Sequence, residues 1–269
     1  MLHGISRITA GNDESRFSDG ELYIHIDGDP SKFCVSELSF NTTRATAVAF
    51  ADVSAGLERA GETPQTGSGE ISLILLLDES MPDSTLARAG ITATEAITAV
   101  VQDLRLRYDG INASGSARQE ILVVRNNDSP VQVRGAGKHS KMGELIGRST
   151  IEAVSASASE NGIDIRFRMS VTEMLAEQGY DQERLFMMSG GNDMPAFLEK
   201  ALDIDSDPRI LGAVSAVLHL NDEAEWGLVD REVAMGAALG IISTAIGPPV
   251  HSDGIAETLA ATLVRMMAG

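Results

Sequence analysis

The sequence predicts an α/β fold. A layered domain of mixed sheet with flanking helices covers residues 1–169, and a more helical C-terminal region covers residues 170–269, either inside the same domain or beside it. Three observations carry this. Residues 71–77 are almost wholly apolar, the pattern of a strand covered on both faces. Pro82-Asp83-Ser84 gives turn and cap signals and opens a helix that runs to about Leu104. A glycine-rich stretch from Gly135 then feeds a second helix over residues 140–158.

The remaining elements follow in order. Leu22, Ile24 and Ile26 alternate with polar positions, so residues 21–26 read as a strand. Residues 45–53, rich in Ala and Val, read as another. Residues 56–69 and 107–117 carry the Gly, Pro, Ser, Thr and Asn of loops. Residues 120–125 form a strand and residues 126–130 a turn. Asn161-Gly162 stops the second helix, and residues 163–169 return as a strand. Beyond it, residues 171–178 and 195–202 are short helices separated by Gly190-Gly191. Residues 208–218 and 231–246 are helix or strand candidates, Gly247-Pro-Pro249 breaks the pattern, and residues 254–267 form a terminal amphipathic helix. No internal repeat is present.

Composition narrows the function classes. With 43% hydrophobic but only 4% aromatic residues, the core is aliphatic. The net charge of −18 repels phosphate backbones and anionic lipid, so neither a nucleic-acid nor a membrane partner is expected. Residues 1–150 carry 14 basic and 20 acidic side chains and residues 151–269 carry 7 and 19, so the positive charge gathers in the first part. One cysteine, Cys34 between Phe33 and Val35, excludes an intrachain disulfide and reads as a buried small hydrophobe. No secretory leader and no apolar run of about 18 residues is present, so a cytoplasmic protein is expected. Residues 234–246 are too apolar to lie exposed, which predicts burial in the core or in a homodimer interface.

The richest stretch is Gly135-Ala-Gly-Lys-His-Ser-Lys-Met-Gly-Glu-Leu-Ile-Gly147. Ser140 is placed as an N-cap and Glu144 about one turn on, so the segment is either a capped surface helix or a ligand-binding helix start. Unpaired N–H groups and the positive dipole end at such a start hold an anion or a polarised oxygen. Gly135 and Gly137 would let the backbone approach a ligand closely. Amide hydrolysis needs a nucleophile, a base, an acid for the amine and a donor for the oxyanion. The chain offers Glu95, His139 and Glu144 as acid–base candidates. Thr92, Thr94, Ser116 and Ser140 are candidate hydroxyls, and the N–H groups of residues 137–141 are candidate oxyanion donors. Lys138 and Lys141 are placed to hold a carboxylate. The five histidines show no HxH or HExxH spacing, so no metal site is evident in the sequence, and the cofactor is left open. Gly137-Lys138 is half of a nucleotide P-loop, but Gln132 stands where its first glycine would be. A dinucleotide Gly-x-Gly-x-x-Gly after a strand is also absent.

A second block lies upstream. It comprises Gly69-Glu-Ile-Ser-Leu-Ile-Leu-Leu-Leu-Asp78, Met81-Pro82, Thr85-Leu-Ala-Arg-Ala89 and Ile91-Thr-Ala-Thr-Glu-Ala96. In order and spacing, the two blocks resemble the CbiZ-type adenosylcobinamide amidohydrolases of archaeal and bacterial corrinoid salvage. The resemblance covers about residues 33 to 158 and includes Asn41 and Arg59-Ala-Gly61 as shorter echoes. It implies hydrolysis of adenosylcobinamide to adenosylcobyric acid and aminopropanol, with a corrinoid as partner. It also brings Asn41 and Asp78 into the substrate-binding set. The alternative is a relative that binds a corrinoid or other tetrapyrrole-like molecule without hydrolysing it. The alternative draws on one departure: where the family has Gly-Thr-Asp, this chain has Arg118 and Gln119 at the last two positions. Thr42 and Thr43 also replace the family's glycines after Asn41, and Asp78 stands where the family commonly has Asn.

Overall fold

The structure, a computed structural model, describes residues 7–11, 16–18, 21–26, 28–64, 67–108, 111–163, 170–205 and 207–268. The chain forms two compact units, Met1–Ile165 and Arg166–Gly269. The first is α/β and the second, among the described residues, is helical.

The first unit begins with β1 (Arg7–Gly11), β2 (Arg16–Ser18) and β3 (Glu21–His25), a small sheet in the order β1-β3-β2. There follow β4 (Cys34–Phe40), β5 (Thr43–Asp52), β6 (Leu57–Glu58) and β7 (Glu70–Leu77), then helix α1 (Asp83–Asp103). Next come β8 (Arg107–Tyr108), β9 (Ile111–Asn112), β10 (Gly115–Ser116), β11 (Arg118–Arg125) and helix α2 (Lys141–Glu160). The main sheet has the order β11-β7-β5-β4. β7 and β11 are parallel, which their crossover through α1 allows, and the other pairs are antiparallel.

Period-two alternation decides what each face of this sheet covers. Ile71, Leu73, Leu75 and Leu77 of β7 join Ala45, Ala47, Ala49 and Ala51 of β5 in the core beneath α1 and α2. The row of alanines lets α2 lie close against β5. On the opposite face Ile74, Leu76, Val48 and Leu122 pack with Ile24 of β3. The apolar run of β7 is therefore apolar because both faces are covered, as its composition predicts. Truncating a buried leucine such as Leu75 to Ala costs about 2–5 kcal/mol.

Several segments differ from the sequence reading. Residues 34–40 are a strand, joined to β5 through Asn41 and Thr42, with Asn41 at φ 54. Asn tolerates that left-handed geometry, but the pair lacks the Asn-Gly signature of a tight hairpin. Residues 107–117 are not a plain loop: β8 pairs with β9 and β10 with β6, in two-residue ladders too short to leave a periodic pattern. Cys34 is half-buried on the outer strand rather than fully buried, and burial pushes its thiol up. The strand expected over residues 163–169 lies, apart from Ile163, outside the described residues.

The second unit contains α3 (Val171–Ala176), α4 (Gln182–Ser189), α5 (Met194–Asp205), α6 (Pro208–Glu225), α7 (Arg231–Ala245) and α8 (Ile255–Ala268). Leu259, Ala260 and Leu263 of α8 are buried in a core shared with Val214, Val217 and Leu218 of α6. Asp181, Asp207 and Asp230 cap α4, α6 and α7 by accepting backbone N–H bonds, each worth about 1 kcal/mol. α4 escapes the sequence reading although Asp181 caps its start and Gly190, at φ 64, ends it. Of residues 234–246, Ala234, Ala238 and Ile242 of α7 form one buried stripe, while Gly236, Ala237 and Gly240 are exposed in the single chain. Among the described residues no helix is long and apolar enough to cross a membrane.

Candidate active site

The motif residues gather where β7 and β11 end. After β7, the Ser80 N–H donates to the Val131 carbonyl and the Val133 N–H donates back to the Ser80 carbonyl, both at 2.9 Å. These bonds bring residues 131–133 beside the strand end and send residues 134–140 along α1. The helix then grips that segment at every second residue. Thr85 Oγ1 donates to the Arg134 carbonyl at 3.1 Å and Thr92 Oγ1 to the Ala136 carbonyl at 2.8 Å. Lys138 Nζ meets Glu95 Oε1 at 2.9 Å. Positions 85, 92 and 95 share one helix face, which meets the carbonyls of 134 and 136 and, where the chain turns at residues 137–140, the Lys138 side chain.

At the start of α2, Ser140 is the N-cap, as expected. Its Oγ accepts the Gly143 N–H at 3.0 Å and lies 2.8 Å from the Gly137 carbonyl. A Cβ at Gly143 would run into that same carbonyl. Gly143 is thus the glycine that close approach requires. Gly135 and Gly137, expected to let a ligand approach the backbone, meet only Ser140 and Arg88 at ordinary contact distance where a Cβ would stand.

Two hollows flank this segment and share Gly135. A cleft of about 640 Å³ is lined by Thr92, Glu95, Gly137, Lys138 and His139, with Arg88 and Arg134. A smaller hollow of about 330 Å³ is lined by Asn41, Thr43, Val133, Ser140 and Lys141. The expected site residues therefore divide. Glu95 and His139 share the cleft. Glu144 lines neither hollow: its carboxylate is bonded to Lys141, which pulls its pKa below the ordinary value, and Lys141 Nζ sits 4.8 Å from the Phe40 ring centroid. Thr92 also lines the cleft, its hydroxyl donating to the Ala136 carbonyl of the loop. Thr94 bonds back to the Gly90 carbonyl on the exposed side of α1. Asp78 accepts from Arg44 Nε at 2.6 Å.

Ser116 lies elsewhere. It is buried in β10, donates to the Arg118 carbonyl at 2.7 Å, and sits where β11 begins. Arg118 and Gln119 occupy the same end: they pair in register with Glu70 and Ile71, the first residues of β7. Arg118 meets Glu70 at 3.2 Å, and Glu70 is buried. Neither Arg118 nor Gln119 lines either hollow, although α1 runs back toward that end, where Thr98 Oγ1 donates to the Ser114 carbonyl at 2.9 Å.

One carboxylate escapes the sequence reading. Glu79, directly after β7, is fully buried, and its Oε1 accepts the Arg44 N–H at 2.7 Å. Its Oε2 has no hydrogen-bond partner among the described residues, and burial pushes its carboxyl above the ordinary value. A polar residue after a strand carries no sequence signal of burial; the pairing of Ser80 with residues 131 and 133 creates it. Among the described residues, no three His, Cys, Asp or Glu side chains come together as a metal-holding group.

Comparison with known proteins bears on this geometry. The family model described as adenosylcobinamide amidohydrolase matches residues 30–164, half of the chain. An uncharacterised protein of Methanocaldococcus jannaschii is 37% identical over 98 residues, covering 34% of this chain and 38% of that protein, so the match spans well under half of the relative's length. No solved structure matches.

Proposed function

Because this chain belongs to the adenosylcobinamide amidohydrolase family, we propose that it hydrolyses the amide joining the aminopropanol arm to the corrin ring of adenosylcobinamide. The products are adenosylcobyric acid and aminopropanol. The observation that carries this reading is the cleft in which His139 stands beside the Lys138–Glu95 pair on a loop fixed by Thr85 and Thr92. Water adds to the amide carbon, and His139 takes one of its protons and passes it to the departing nitrogen. The carbon–oxygen bond forms, the carbon–nitrogen bond breaks, and the amine leaves neutral. The Lys138 ammonium, oriented by Glu95, faces the oxygen that gains charge. Such a donor is worth about 3–4 kcal/mol of barrier, and a positioned acid–base group about 10²–10⁴ in rate.

The reading of a relative that binds without turnover rested on Arg118 and Gln119. Both lie at the start of β11 and line neither hollow, and Arg118 is engaged with Glu70. The departure from Gly-Thr-Asp therefore leaves the cleft's acid–base groups in place, which favours the hydrolase. Incubation with adenosylcobinamide across roughly pH 6–9, with and without divalent metal, is expected to yield adenosylcobyric acid by chromatography. Saturable corrinoid binding with no product would favour the binding relative instead. Absence of both would remove the corrinoid reading.

A further inference from the structure

The chain carries −18, yet the cleft beside residues 134–139 collects Arg88, Arg134 and Lys138 around a single carboxylate, Glu95. Glu95 is committed to Lys138 at 2.9 Å. Arg88 has no carboxylate partner among the described residues; its aliphatic stem lies against Gly137, within 3.6 Å of where a Cβ would stand. Arg134 turns to a neutral amide, its Nε and Nη2 each 3.4 Å from Gln132 Oε1. In a chain with 39 acidic residues, two guanidiniums that line one cleft without a carboxylate partner of their own among the described residues leave positive charge there, which attracts an anion. A guanidinium fork also matches the geometry of a tetrahedral oxyanion. Two uncompensated charges suit a dianion better than a carboxylate, and a phosphate monoester carries about −1.5 to −2 near neutral pH. Ser84, also on the cleft wall, adds a hydroxyl donor.

We propose that this cleft is a phosphate-monoester site built by Arg88, Arg134 and Lys138. The phosphate arrives either on the hydroxyl of the corrinoid's aminopropanol arm or on a separate small organic phosphate. The proposal shares its cleft with the hydrolase reading, but binding is measured without turnover, so the two fail separately.

The test titrates inorganic phosphate and phenyl phosphate into the full chain by calorimetry at about 0.05 M salt. Saturable binding is expected. Arg88→Gln combined with Arg134→Gln should weaken it by at least about tenfold. Arg148→Gln, which removes a charge from an exposed position of α2, should leave it unchanged. If the double variant melts early, each single substitution is read alone and should weaken binding in the same direction. Displacement of bound phosphate by the arm-phosphorylated corrinoid but not by adenosylcobinamide assigns the group to the corrinoid arm; displacement by neither assigns it to a separate phosphate. No saturable binding in the wild type, or equal weakening by Arg148→Gln, would overturn the proposal.

Discussion

Two regions of the first unit hold charge in opposite ways. Where β7 and β11 begin, Glu70 is 1% exposed and clamped to Arg118. Along α1 and at the start of α2, Lys138–Glu95 and Lys141–Glu144 are pairs with each side chain about half exposed. Removing one partner of a buried pair strands the other in low dielectric, so such a pair is bound up with stability. Exposed pairs contribute about 0–1 kcal/mol, so their charges are free to be rearranged by a ligand. The first arrangement resists the loss of either partner, and the second leaves its charges accessible. The departure from the family pattern at Arg118 and Gln119 falls in the first.

The largest effect should come from the buried pair. Arg118→Met, which removes a charged hydrogen bond to Glu70, is expected to destabilise the first unit by about 1.5–3 kcal/mol in denaturant unfolding, while the folded fraction keeps its hydrolytic rate. A loss under 1 kcal/mol would break the contrast between the two regions. Next comes Gly143→Ala, whose added methyl meets the Gly137 carbonyl. It should cost about 1–3 kcal/mol and lower hydrolysis, because the loop must shift to make room. A fully active variant would mean that the loop's path is not what matters. Thr92→Val removes the hydroxyl bound to the Ala136 carbonyl and should cost about 1 kcal/mol. Thermal melting checks this, and a companion Thr94→Val, on the exposed side of the same helix, should cost less.

The smallest effect is a pH slope. Burial favours the protonated form of Glu79 in the fold, raising its carboxyl above the ordinary 4.5. In the window between 4.5 and the raised folded value, the unfolded chain binds fewer protons than the native one. The Glu79 contribution to stability is therefore present at the acid side and lost as pH rises through that window. Subtracting the Glu79→Gln stability profile from the wild-type profile should isolate a falling line. A flat or rising difference would show that Glu79 stays ionised where it is buried.

The sequence reading reached the frame more readily than the details of the site. β7 was legible because burial on both faces leaves an unbroken apolar run, and α2 because Ser140 marks its start. β4 and α4 were not, since the first joins β5 without a recognisable turn and the second is short. Within the site, Glu95, Lys138 and His139 were legible and share one cleft, because helical spacing on α1 and the docking of residues 134–138 along it bring them together. Ser116 was assigned to that cluster by residue type, but the chain carries it to the end of the sheet where β11 begins. Glu79, Arg88 and Arg134 were overlooked for a common reason: their burial or lack of a partner depends on which distant segments meet them.

The central claim is that chemistry belongs to the region bearing residues 134–140 and not to the end of the sheet bearing Gln119. Its most direct test measures turnover of adenosylcobinamide by His139→Ala beside Gln119→Asp, which restores the carboxylate of the family pattern. The account predicts that His139→Ala loses about 10²–10⁴ in rate with unchanged melting, while Gln119→Asp turns over at the wild-type rate. A fully active His139→Ala, or a Gln119→Asp that is sharply more active than the wild type, would contradict it.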